Sequence, residues 1–290
     1  MKIGTLLTAA VAVPAVALAV YSFAPQPDLA DAVRLPPPAT VTVNPGNLAY
    51  RLPGEFLKAQ RPVDGPAEDV RFRRPFEIMT YQVSASDYAL CVADGACAPS
   101  EGPDEATGNL PATGVSFRDA LAYAEWLSAR TGEAWRLPTD EEWAFAAAER
   151  YADDKLGIED DANPATRWLA RYRSEAEAAS GRDPQPKPHG HFGANSNGIY
   201  DLSGNVWEWT TTCYRRATLD EAGRIDGSID NCGVRVVGGK HRGYMSFFIR
   251  DGKSGGCAGG LPPDNLGIRL VKERPSLLVA FRTLWRKATG

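Results

Sequence analysis
Two stretches of the chain carry apolar residues at the spacing of a helix face. In VSFRDALAYAEWLSARTGE (115–133), Ala120, Tyr123, Ala124 and Leu127 fall on one stripe, which predicts an amphipathic helix. Ser116 is placed to cap it, Asp119 adds a partial capping box, and Gly132 ends it. RLPTDEEWAFAAAER (136–150) predicts a second helix. Thr139 and Glu142 make a T-x-x-E box, Asp140 and Glu141 suit the positive end of the dipole, and Trp143, Ala146 and Ala147 face inward. TVTV (40–43) alternates as a strand does and runs into a turn at Asn44-Pro45-Gly46. RPFEIMTYQVSASDYALCV (74–92) starts as an alternating run and turns helical after Ser84 or Ser86, with Asp87 near enough to help cap. ATRWLARYRSEAEAAS (165–180) reads as a short surface helix and GRDPQPKPHGHFGANSNG (181–198) as loop. From residue 199, short strands and turns alternate up to NLGIRLV (265–271), a closing strand.

The chain ends read differently. MKIGTLLTAAVAVPAVALA has one Lys, an apolar run and the A-x-A site Ala17-Leu18-Ala19, the pattern of an export signal. The apolar residues continue through Phe23, so an uncleaved anchor is the competing reading. Residues 1–24 are therefore assigned to a signal or anchor, 25–38 to a Pro-rich linker, 39–273 to the main domain and 274–290 to a C-terminal amphipathic helix. In that last segment Leu277, Leu278, Phe281, Leu284 and Trp285 oppose Arg282, Arg286 and Lys287. It either packs back on the domain or touches a membrane surface or partner.

Composition narrows the class. With 43% hydrophobic and 23% charged residues the chain can bury a core, and 28 Gly with 22 Pro argue for many turns over a helical bundle. A net charge of −4 speaks against a nucleic-acid partner. Export places the five cysteines where disulfides are permitted, in the periplasm or another extracytoplasmic compartment. Cys91 and Cys97 flank an Asp94-Gly95 turn and are the first pair to expect; Cys213 and Cys232 flank a polar loop and are the next. Cys257 is then left over, although sequence alone leaves the connectivity open.

Three stretches in order, RLPTDEEWAFAAA, GIYDLSGNVWEWT and RVVGG followed by NLGIRLV, resemble the sulfatase-modifying-factor, or formylglycine-generating-enzyme, superfamily. The resemblance runs from about Ala39 to Glu273. It implies an irregular α+β fold, related to C-type lectins, with little regular secondary structure. It also implies copper chemistry in some members and iron chemistry in others. The copper oxidases hold Cu(I), a soft ion, with two cysteines after the glycine pair. The corresponding positions here are Gly243 and Phe248, so copper and the usual oxidase mechanism are not expected. Met245, His241 and the lone Cys257 are the weak candidates for an altered centre. The iron members need several histidines, and this chain has only His189, His191 and His241. The resemblance further implies a structural Ca2+ on Asp201, Gly204, Val206 and Glu208, a hard-oxygen set suited to that ion. The competing reading is that Glu208 caps turn amides while the two Trp fill the core.

A binding groove is expected where KHRGYMSFFIRDGKSGG (240–256) meets the loop at 189–198, lined by His241, Arg242, Tyr244, Phe247, Arg250 and Asp251. Two functions follow. The first is an exported accessory or maturation factor that binds another exported protein or peptide, similar to members associated with copper nitrite reductase. The second is an oxidoreductase acting on a protein or peptide through an altered metal centre. Carbohydrate binding lacks a recognisable motif.

Overall fold
The computed structural model describes residues 34–102, 108–158, 163–179, 183–254 and 263–273. The signal or anchor, most of the linker, Cys257 and the C-terminal helix lie outside these residues. Among the described residues no helix is long and apolar enough to cross a membrane.

The alternating TVTV run forms β1 (Thr40–Val43), followed by β2 (Gly46–Arg51), β3 (Glu55–Lys58), β4 (Arg61–Val63), β5 (Ala67–Phe72) and β6 (Phe76–Met79). Helix α1 (Ala85–Ala93) starts where Ser84 accepts a hydrogen bond from the Asp87 amide. Helix α2 (Phe117–Thr131) carries a complete capping box between Ser116 and Asp119, and ends at Gly132 with φ 74°. That left-handed geometry suits a residue without Cβ. After β7 (Trp135–Arg136), the Thr139–Glu142 box opens α3 (Asp140–Ala147) as the sequence predicts. Helix α4 (Pro164–Ala179) is the expected surface helix, with Trp168 and Tyr172 stacked and exposed on it.

Past residue 199 the structure departs from the expected short strands. β8 (Trp207–Leu219) and β9 (Ile225–Gly238) form one long hairpin. It reaches this length because β3 pairs in parallel with the far end of β8, from Glu55 opposite Arg216 to Lys58 opposite Leu219. The Cys213–Cys232 disulfide bridges the two strands, and the Cys91–Cys97 disulfide closes the end of α1. Both expected pairs are present.

β10 (Gly243–Ser246) extends the sheet in the order β10-β9-β8-β3-β4, and β11 (Leu266–Gly267) lies parallel to β8. A second sheet runs β1-β6-β12-β7, where β12 is Val271–Lys272, and β2 pairs with β5 as a separate ribbon. The predicted closing strand is thus two short pieces in different sheets. Ile268, Arg269 and Leu270 cross between them, all fully buried. The larger core gathers the inner faces of α1 and α2 around Trp207, Trp209, Val237 and Met245.

One packing device ties α3 to the long hairpin. A Cβ on Gly238 would lie 2.4 Å from Trp143, and one on Gly239 would lie 2.4 Å from Trp207. Both rings are buried and cannot swing into solvent. The substitutions Gly238→Ala and Gly239→Ala should therefore each destabilise by about 1–3 kcal/mol, the usual range for overpacking. Urea denaturation measures this; an unchanged midpoint for both would mean that the rings do not depend on bare backbone there.

Candidate functional site
Trp207, Glu208 and Trp209 open β8, and strand alternation puts Glu208 on the face opposite the two indoles. All three are nonetheless buried, with Glu208 only 1% exposed. Both sheet faces are covered at this point, so a carboxylate there must be satisfied from within. Arg269 supplies two bonds, Nε to Oε2 and Nη2 to Oε1, both 2.9 Å. Trp143 Nε1 donates to Oε2 at 2.8 Å and Gln82 Nε2 donates to Oε1 at 2.8 Å. Arg269 spends its remaining donors on the carbonyls of Met79, Thr80 and Tyr200. Five segments distant in sequence meet on this one ion pair.

The turn before β8 is built from unusual backbone. Asp201, Ser203 and Asn205 all have left-handed φ, at 62°, 57° and 66°, uncommon for residues with side chains. Their side chains hold the turn. Asp201 accepts from the amides of Gly190 and Phe192 at 2.7 and 2.9 Å. Asn205 bonds both to the amide and to the carbonyl of Lys187. Ser203 donates to the Arg150 carbonyl.

This geometry tests the metal sets. The proposed calcium set converges only in part: Glu208 Oε1 and the carbonyls of Gly204 and Asp201 face one point, which the Gln82 amide nitrogen occupies. The Asp201 carboxylate faces the 190–192 loop while Glu208 faces Arg269, so the two carboxylates do not converge. The Arg269 guanidinium already balances the Glu208 charge, so the wild-type site offers a cation no uncompensated anion. Among the described residues no group of three or more His, Cys, Asp or Glu side chains is arranged to hold a metal. Copper fares no better at the positions named above. Gly243 is buried in β10, and a Cβ there would meet Val237 Cγ2 at 2.9 Å, while Phe248 is 61% exposed. Met245 is buried in the core. Cys257 lies outside the described residues.

The residues expected to line one groove are dispersed. Arg242 is buried between Asp140 and Asp154, each 3.0 Å away. Burial alone would lower its guanidinium, but those two carboxylates hold it well above the ordinary value. The Tyr244 hydroxyl accepts from the Gly54 amide, and burial pushes its phenol up to about 12. Tyr50 completes this internal cluster by donating to Asp140 at 2.6 Å. Arg250 lies elsewhere, on Asp119 of the α2 capping box at 2.8 Å, with Phe247 beneath Arg118. Asp251 caps the short turn at 252–254. His241 sits against Trp207 instead, its ring 5.2 Å away and edge-on.

A cavity of about 260 Å3 does form near that meeting point, lined by Lys187, His191, Phe192, Asn205, Trp207 and Lys240. The two histidines of the loop separate. His191 is exposed beside Phe192. His189 stacks on Tyr81 with ring centroids 5.0 Å apart. Arg269, Gln82 and Lys240 went unrecognised in the sequence reading. Arg269 carried a signal, a lone charge inside the apolar run NLGIRLV.

Removing one member of a buried ion pair strands the other, at a cost of about 3–5 kcal/mol. Arg269→Met should reach that range, and Arg269→Met with Glu208→Gln should recover part of it, as chemical denaturation can measure. Equal losses in the single and double variants would show that Arg269 acts through its carbonyl contacts alone. A second expectation concerns acid. Burial holds the His189 imidazole below its ordinary value, so between that lowered value and about 6.5 the unfolded chain binds the extra proton. Stability therefore falls as pH drops through this window. In His189→Phe, which keeps a ring on Tyr81, stability measured from pH 7 to 5 should show a shallower decline.

Comparison with known proteins sets this geometry in context. The chain is 34% identical over 113 residues to the inactive C-alpha-formylglycine-generating enzyme 2 of Mus musculus, covering 38% of this chain and 35% of that protein. It is 37% identical over 106 residues to the formylglycine-generating enzyme of Mycobacterium tuberculosis, covering 35% and 33%. The matched stretch thus spans about a third of these relatives' length. PvdO from Pseudomonas aeruginosa shares the fold, with a TM-score of 0.53 and 23% identity over 82% of this chain and 95% of that one. The sulfatase-modifying factor enzyme 1-like domain model matches residues 25–274, and the chain belongs to that family.

Proposed function
We propose that this protein is an exported, non-oxidase member of its family that binds a segment of another exported protein during maturation. The observation that carries the reading is the replacement of both expected thiol positions, by a glycine packed against Val237 and by an exposed phenylalanine. A Cu(I) centre of the oxidase kind has no sulfur pair there. The two disulfides support an oxidising compartment. The similar mouse protein is an inactive formylglycine-generating enzyme, which is consistent with loss of the chemistry within this family.

The cavity at Trp207 is the binding surface in this reading. Phe192 offers an exposed aromatic face beside the edge of Trp207; Lys240 offers a cation, while Lys187 is paired with Asp183 and Asp264 also lines the cavity. Such a mix suits an extended peptide that carries an acidic or polar side chain beside an apolar one. The resemblance to members associated with copper nitrite reductase nominates that enzyme as the first partner to test. The second reading, an altered oxidase centre, rests on His241, Met245 and Cys257, of which the burial of Met245 disfavours participation.

Two measurements separate these readings. The full chain, loaded with Cu(I) and titrated with a competing chelator, should release the metal without a stoichiometric tight step. A cysteine-containing sulfatase peptide incubated with it should remain unconverted by mass spectrometry. Tight binding lost in Cys257→Ser, together with conversion of the peptide, would instead support the oxidase. For the binding function, Phe192→Ala and Lys240→Glu should each weaken capture of purified copper nitrite reductase by about tenfold, or ~1.4 kcal/mol. Capture unaffected by either change would remove the cavity from the interface.

A further inference from the structure
Gln82 is 2% exposed, and its side chain is oriented by what surrounds it. The amide nitrogen faces three oxygens: Glu208 Oε1 at 2.8 Å, the Gly204 carbonyl at 3.3 Å and the Asp201 carbonyl at 3.5 Å. A carboxamide nitrogen has two hydrogens for these three acceptors. The other end of the group, Oε1, is buried with no hydrogen-bond partner. Rotating the amide by half a turn would bring Oε1 against three oxygens and lose every bond the nitrogen makes. The acceptors therefore dictate the orientation, and the orphaned oxygen is the consequence.

Three oxygens converging on one point, two of them from a turn with left-handed residues, form the kind of donor set that a hard cation fills. Here the donor at that point is a neutral N–H group. We propose that the Gln82 carboxamide takes the place of a cation and locks the 201–208 turn, so that this chain keeps its turn without calcium. The charge balance agrees. Glu208 is the one anionic side chain among the three acceptors, and Arg269 neutralises it. The Asp201 carboxylate is committed to the amides of Gly190 and Phe192. Exchanging the amide of Gln82 for a carboxylate would set four oxygens facing one another and leave a net negative charge, which a bound cation relieves at a pH where the new carboxyl does not take up a proton instead. The same geometry thus predicts that Gln82→Glu creates a calcium site.

The test uses thermal melts and isothermal titration on the full chain in EDTA, in millimolar Ca2+ and in millimolar Mg2+. The wild type should melt at the same temperature in all three and show no stoichiometric Ca2+ heat. Gln82→Glu should melt several degrees lower in EDTA and recover in Ca2+ but not in Mg2+, which demands a smaller and more regular shell. A wild-type Tm that rises by several degrees with one bound Ca2+, lost in Glu208→Gln, would overturn the proposal. So would a Gln82→Glu protein that folds but ignores Ca2+, because the oxygens would then not form a cation-sized cage. Should that variant fail to fold in chelator and calcium alike, the wild-type comparison still decides, and Gln82→Met should lower Tm without any response to Ca2+.

Discussion
The Glu208–Arg269 ion pair is the constraint on which the rest of this structure depends. Neither charge reaches water. A buried carboxylate and a buried guanidinium are each prohibitive alone, and they are tolerated together only when every remaining donor and acceptor is also met. That requirement recruits Trp143 from α3, Gln82 from the approach to α1, and the carbonyls of residues 79, 80 and 200. One polar node therefore fixes how the two sheets, α3 and the turn before β8 sit together. It also explains why the closing segment is not one strand. Its middle turns inward to deliver Arg269, so regular strand pairing holds at its two ends, while the carbonyls of Ile268 and Leu270 accept from the amides of Val83 and Met79.

Around the node, aromatic rings and bare backbone do the spacing. Trp143 packs over Gly238 and Trp207 over Gly239, which brings the indole of Trp143 within reach of Glu208 and leaves Trp207 facing the cavity. The cavity is in this way a by-product of the core: Trp207, which lines it, also supports the hairpin. A second buried polar cluster, Tyr50 with Asp140, Arg242 and Asp154, anchors the ribbon side of α3 in a similar manner. Residues that look like a groove lining in a linear reading are spent there on holding the fold.

Much of the local architecture was legible in the residues. Capping boxes at Ser116 and Thr139, the αL glycine at 132 and the inward stripe of α2 are decided within a turn or two of chain, and they appear where expected. Both disulfides were anticipated from short polar loops between cysteines. The motif order was enough to name the family, because the motif residues are the ones that build the node. The site was less legible. Asp201 and Glu208 read as two ligands of one ion since both are acidic and close in sequence, yet a left-handed turn and strand alternation send them to different partners.

By itself the sequence determined the helices, their caps, the paired cysteines, the family and the lack of a cysteine at Gly243 and Phe248, since each of these is a property of neighbouring residues or of one position. Only the tertiary structure decided what Glu208 does, where Arg242, Tyr244 and Arg250 go, and that Gln82 stands among three oxygens. Those outcomes depend on side chains from segments as far apart as residues 82, 143, 208 and 269 sharing one dry interior. Charge in such a place is assigned by whichever partner the packing brings nearest, and nothing along the chain encodes that distance.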